Sequence, residues 1–256
     1  MTALITIHAG FHKTGTTSAQ AVLRANRDVL SPHMRVILRA EMVGLCEAAR
    51  VYSVSRAAAD LALVRYEAAV LGENWDARTV LLSSEDLCGH MPGRRGLVDY
   101  GAAPKLMAAI TDTFSEVHPD AVQRVILTTR APGPWLRSCW LQHLRATPIT
   151  QGAEAYAQDY AASADLAGIA AQITQAVDVP VEVLALEQIG GLRLGPAEAL
   201  LGRVTPGIDL SELSPLPPAN TAPPQAKIDA MLTLNRAGMP EAQRRAEMKK
   251  LHGRSW

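Results

Sequence analysis

Along the chain, short runs of aliphatic and β-branched residues alternate with longer Ala-rich stretches of helical spacing. Residues 4–9, 34–38, 79–83, 125–128 and 181–186 are nearly continuous apolar runs, the pattern of strands covered on both faces. Between them the spacing predicts a helix over 17–30, stopping before Pro32, and another over 56–71, where Leu61, Val64 and Ala68 recur at three and four residues. Helices are also predicted over 104–114, 132–144 and 166–177. Strands alternating with helices of this length predict an α/β fold: an open parallel sheet flanked by helices on both faces.

The pattern changes after about Gly202. Residues 205–224 hold six prolines (Pro206, Pro215, Pro217, Pro218, Pro223, Pro224), a composition that favours extended chain. A helical tail follows, with Ile228, Met231, Leu232 and Leu234 apolar. The chain thus divides into an α/β domain (1–204), a Pro-rich linker (205–224) and a tail (225–256) packing on or covering that domain. Arg244, Arg245, Lys249, Lys250 and Arg254 make the tail basic. A solvated helix end accounts for such a segment, and a lid or a phosphate contact is the alternative.

Composition narrows the function. Among 256 residues, 25 Lys and Arg face 25 Asp and Glu, which argues against a partner bound through clustered phosphates such as a nucleic acid. Aromatic residues are only 4%, too few to stack single-stranded bases, while 48% hydrophobic residues suit a folded core. No apolar run approaches the ~18 residues of a membrane span. Cys46, Cys88 and Cys139 stand far apart, the sparse thiol usage of a reducing compartment, and no basic leader precedes the first apolar run. The expectation is a cytoplasmic enzyme that acts away from membranes.

The most informative stretch is Gly10-Phe11-His12-Lys13-Thr14-Gly15-Thr16-Thr17-Ser18, between the first strand and its helix. Two glycines five apart allow a tight turn with exposed amides, and three hydroxyls stand at a helix start whose dipole favours an anion. Helix capping alone explains one hydroxyl, but not the glycines, the lysine and the run together. The glycines fit the G-x-x-x-x-G-K-[ST] frame of a P-loop-type fold. Thr16 stands where the lysine is due, however, and the positive charge lies earlier, at Lys13.

On Lys13-Thr14-Gly15-Thr16-Thr17 the chain resembles the sulfotransferases that use 3′-phosphoadenosine 5′-phosphosulfate (PAPS), and looks most like their bacterial and Golgi glycan-type members. It is also similar to them in a second element, where the run 125–129 leads into Arg130 and Ser138 follows eight residues later. The resemblance implies that His12, Lys13, Thr14, Gly15, Thr16, Thr17 and Ser18 bind the 5′ side of PAPS. It implies that Arg130 and Ser138 bind its 3′-phosphate, and that 3′-phosphoadenosine 5′-phosphate (PAP) is the product, with no metal required. An arginine at a strand's carboxyl end suits that task, since its planar fork takes a phosphate bidentately. The small-molecule branch also carries a C-terminal Arg-Lys-Gly segment, echoed here only by Lys250-Leu251-His252-Gly253-Arg254.

Sulfuryl transfer resembles phosphoryl transfer, with charge building on the oxygen that bridges to the leaving nucleotide. Lys13 is the candidate to stabilise it. The acceptor's hydroxyl or amine needs a base. Glu85, at the end of the third strand, comes first, His90 and His12 come second, and a capping carboxylate is the plain alternative for Glu85. His8 reads as structural, and His143 is placed to line the acceptor side. Asp86 also suits a Mg²⁺-holding acid, so a small-molecule P-loop kinase stays open, as does a non-catalytic PAP-binding protein. The acceptor, a small molecule or glycan, would meet loops after the third and fourth strands and helices between residues 40 and 75.

Overall fold

The computed structural model describes residues 3–73, 75, 79–205, 207–217 and 222–252. Strands β1 (Leu4–His8), β2 (Arg35–Leu38), β3 (Thr79–Ser83), β4 (Val122–Thr129) and β5 (Val181–Ala185) form one sheet. Its order is β2-β3-β1-β4-β5, and every pairing is parallel. In register, His8 stands between Ser83 of β3 and Ile126 of β4.

Parallel neighbours need crossovers, and the helical stretches supply them. Helices α1 (Thr16–Ala25) and α2 (Arg27–Leu30) follow β1, while α3 (Val43–Ser55) and α4 (Ala58–Gly72) lead to β3. Helix α5 (Ala103–Val117) leads to β4, and α6 (Pro132–Ala146), α7 (Ala153–Asp159) and α8 (Leu166–Ala176) lead to β5. The chain continues through α9 (Leu186–Ile189), α10 (Pro196–Val204), α11 (Gln225–Arg236) and α12 (Glu241–His252).

Side-chain alternation along the strands divides the core in two. Ile5, Ile7, Val80, Leu82, Val125 and Leu127 pack on one face with α3 to α6 and α8. Val36, Leu38, Leu81, Ile126 and Leu184 pack on the other, against α1 and α10 through Ala19, Leu23, Ala197 and Leu200. The α/β fold with a parallel sheet covered on both faces is therefore observed. The connection after β1 runs toward β2, whereas that after β4 runs toward β5, which opens a crevice beyond the carboxyl ends of β1 and β4.

Two boundaries depart from the apolar pattern. The stretch 17–30 is two helices, because Asn26 turns its amide to Val22 O and Ser214 O (2.9 and 3.0 Å) and accepts from the Ser214 amide. Arg56 adopts φ 55°, so the helix expected from 56 begins at Ala58, behind an α3 that spacing did not single out.

Pro206 and Pro218 of the linker, and Gly253 and Arg254 of the tail, lie outside the described residues. Helix α11 docks on α6, where Asn235 donates to the carbonyls of Leu144, Thr147 and Ile149 at 3.0–3.2 Å, and α12 packs on α11. No helix among the described residues is long and apolar enough to cross a membrane.

Candidate functional site

The loop after β1 is laid along β4 by two amides, Ala9 N to Ile126 O (3.2 Å) and Phe11 N to Thr128 O (3.3 Å). Phe11 is fully buried against Tyr100, and the Thr14 hydroxyl donates to Phe11 O (2.5 Å) and meets Thr128 Oγ1 (2.7 Å). The Thr14 side chain therefore holds the loop from beneath. Lys13 takes φ 68° and Gly15 φ 96°, a left-handed pair that turns successive amides toward one side. A Cβ on Gly10 would stand 2.5 Å from Thr128 Oγ1 and 2.8 Å from Thr16 Oγ1, so the loop packs too closely for any other residue there. Helix α1 starts with no side-chain cap, which leaves its first-turn amides to another acceptor. Thr16 is buried with a hydroxyl lacking a partner, Ser18 is half-buried and Thr17 is exposed.

These residues line a cleft of about 1110 Å³ in the crevice. Lys13, Arg130 and Ser138 line it too, from β1, β4 and α6. Lys13 Nζ donates to Gln142 Oε1 (3.4 Å), an oxygen that also accepts from Arg145 (3.0 Å). Arg130 donates to the Lys13 carbonyl (3.3 Å). Burial, then repulsion from Arg145 and Arg130, pulls the Lys13 ammonium below its usual pKa, while Glu85 opposes the shift. Several cations thus converge where a polyanion would relieve them.

On the β3 side, Glu85 lines the cleft and accepts from Gln20 Nε2 (3.2 Å). Burial alone would raise the pKa of Asp86, yet hydrogen bonds from His12 and Arg39 hold it well below the usual carboxylate range. Those contacts measure 3.4 Å to His12 Nε2 and 2.5 Å to Arg39 Nε. The other His12 nitrogen meets the Tyr100 hydroxyl (3.0 Å), so both sides of its ring are engaged.

His90 is not among the cleft-lining residues. Its Nδ1 accepts from Arg50 (3.3 Å), and burial followed by Arg50 and Arg94 lowers its pKa to about 4. His143 is buried with Nδ1 2.8 Å from the Tyr156 hydroxyl, and His8 with Nδ1 2.8 Å from Ser83 Oγ. Burial is the leading cause that lowers each to about 4, and neither lines the cleft.

Sequence spacing did not bring Arg39, Arg50, Arg94 or Gln142 to this site, nor the segment 190–196 or Leu216 and Pro217, yet all line it. Gln142 had a signal, since it falls four residues after Ser138 on one helix face. The glycines of Gly190-Gly191 and Gly195-Pro196, a few residues past the last strand, were another. The arginines had none, since each reaches the cleft from a separate loop or helix. Arg193 ties the glycine-rich segment to the linker through Leu213 O (2.9 Å) and Leu210 O. None of the described tail residues lines the cleft, and no three His, Cys, Asp or Glu side chains among the described residues gather as a metal site.

No family model matches the chain, and no curated protein matches it. Among solved structures it is similar to the crystal structure of a sulfotransferase from Alicyclobacillus acidocaldarius, with 14% identity and a TM-score of 0.47 over 98% of this chain and 96% of that one.

Proposed function

We propose that the protein transfers the sulfuryl group of PAPS to a hydroxyl or amine of a small-molecule or glycan acceptor and releases PAP. The observation that carries this reading is one cleft shared by two anion-binding elements. An uncapped α1 start with Lys13 stands on β1, and Arg130 with Ser138 stands beyond β4. The motif resemblance and the residues fit each other: Gly10 and Gly15 leave the loop bare, and Thr16 Oγ1 lacks a partner.

In this scheme the first-turn amides of α1, with Thr16, Thr17 and Ser18, hold the 5′-phosphate, while Arg130 and Ser138 hold the 3′-phosphate. The acceptor atom attacks sulfur in line, and the bond from sulfur to the bridging oxygen breaks. The electron pair stays on the 5′-phosphate of PAP, where the Lys13 ammonium neutralises it. The acceptor's proton passes to the Glu85 carboxylate. His90 ranks behind Glu85 because Arg50 already donates to its ring. With both ring nitrogens engaged, His12 serves to hold the loop and Asp86 rather than to take a proton. The kinase reading loses its metal ligand, since Asp86 is already neutralised by Arg39 and His12.

Calorimetry on the intact protein tests this. PAP is expected to bind without Mg²⁺, at least about tenfold more tightly than ADP, because a 3′-phosphate adds charge-assisted bonds. Arg130→Ala should erase that preference. Mg²⁺-dependent ATP binding with none for PAP overturns the proposal.

A further inference from the structure

On the acceptor side of the cleft, Arg39, Arg50 and Arg94 meet the carboxylates of Glu47, Glu85 and Asp86, and none of these carboxylates pairs with Arg94. Arg39 is held by Asp86 and Glu47, and Arg50 shares the same Glu47 oxygen at 2.6 Å. Arg94 lines the cleft half-buried, and among the described residues its guanidinium has no ion pair and no hydrogen bond. Such a group forfeits water without a partner, an arrangement that persists where a ligand supplies one.

The Arg94 backbone is rigidly placed. Gly93 N donates to Leu97 O (2.7 Å), Arg94 N to Met91 O (3.2 Å) and Leu97 N to Arg94 O (3.0 Å). Gly93 and Arg95 both take positive φ, at 86° and 54°. A Cβ on Gly93 would stand 2.4 Å from His143 Cε1, which pins the loop to α6. The charge of Arg94 acts on His143 and Cys139, which also feel Lys13, and on His90, which also feels Arg50. Arg94 is thus within electrostatic reach of the same groups as Lys13 and Arg50, and it lines one cleft with both. In the scheme above, the nucleotide's own phosphates already have partners.

We infer that the acceptor carries an oxyanion of its own (a carboxylate, sulfate ester or phosphate ester) which the guanidinium fork of Arg94 receives, with Arg50 beside it. This rests on the sulfuryl-transfer reading and adds the acceptor's chemical class to it. The planar fork of an arginine presents paired donors that match two oxygens of such a group.

The test titrates PAP-saturated protein with glucose, glucuronate, glucose 6-sulfate and glucose 6-phosphate, and with phenol against 4-hydroxybenzoate. At least one acidic member should bind about tenfold or more tightly than its neutral counterpart. The anion that gains most identifies the group. Arg94→Met should abolish the preference and Arg94→Lys restore part of it, with PAP affinity within about twofold of the parent in both. Equal binding of acidic and neutral members, binding of neither included, overturns the inference, as does a preference that survives in Arg94→Met. Loss of PAP affinity in Arg94→Met in proportion to the acidic ligand would move Arg94 to the nucleotide site and overturn it too. Failure of the parent protein to bind PAP is a separate result, and it sinks the sulfuryl-transfer reading itself.

Discussion

At Gly15 the backbone sits at φ 96°, and a Cβ there would lie 2.8 Å from Leu186 Cδ1 and 2.9 Å from Pro196 Cγ. Alanine would cost about 1–2 kcal/mol for the left-handed conformation and would also push against the segment that forms the cleft wall. Gly15→Ala is therefore expected to weaken PAP binding by about tenfold or more while the protein stays folded. Calorimetry beside a thermal melt checks it, and an unchanged affinity would remove the loop from phosphate binding. The residue pattern made this loop legible because glycine spacing and a displaced lysine are local signals. Thr14 shows the limit of such signals. Its hydroxyl faces Phe11 O and Thr128, since the partner strand that claims it lies more than a hundred residues away.

Among the elements, β1, β3 and most of β4 were readable because they are buried on both faces and so nearly continuously apolar. The edge strand β5, buried only at Leu184, was readable from its β-branched run. Helix α3 was not, since Val43, Val51 and Val54 are exposed and blur its period. The tail was readable as helical, but its docking depended on a polar anchor that periodicity does not reveal. Asn235 is 6% exposed and supplies three carbonyls at the end of α6 with a donor, while its oxygen accepts from Arg244 (3.1 Å). Asn235→Leu would leave those groups unpaired in a buried place, at a cost of about 2–4 kcal/mol. Urea unfolding should report that loss with PAP affinity nearly unchanged, because the tail supports α6 from behind the cleft. A loss of PAP affinity with no loss of stability would instead make the tail part of the site.

Across the whole molecule, a formal charge of zero coexists with a cleft lined by Lys13, Arg39, Arg50, Arg94, Arg130 and Arg193 against two carboxylates, Glu85 and Asp86. Positive potential is thus concentrated rather than absent, which a composition averaged over the chain cannot display. Concealed titration is the second global property. His8 and His143, at 0% and 1% exposure, are both held neutral down to about pH 4, whereas in the unfolded chain they titrate near 6.5. Above pH 6.5 both states leave them neutral and stability is full. As pH falls toward 4, the unfolded chain takes up two protons at these rings that the folded chain refuses, with a smaller share from the more exposed His90, and stability is lost throughout that window. The loss is on the order of 3 kcal/mol between pH 7 and pH 5. Asp86, held low by His12 and Arg39, adds its own loss only further into acid. Urea melts at pH 7, 6 and 5 should show the decline, and a His8→Gln, His143→Gln double variant should flatten it even if its stability at pH 7 is lower. A parent protein equally stable at pH 7 and pH 5 would mean that water or a local opening reaches these rings, so that they are not sealed from solvent.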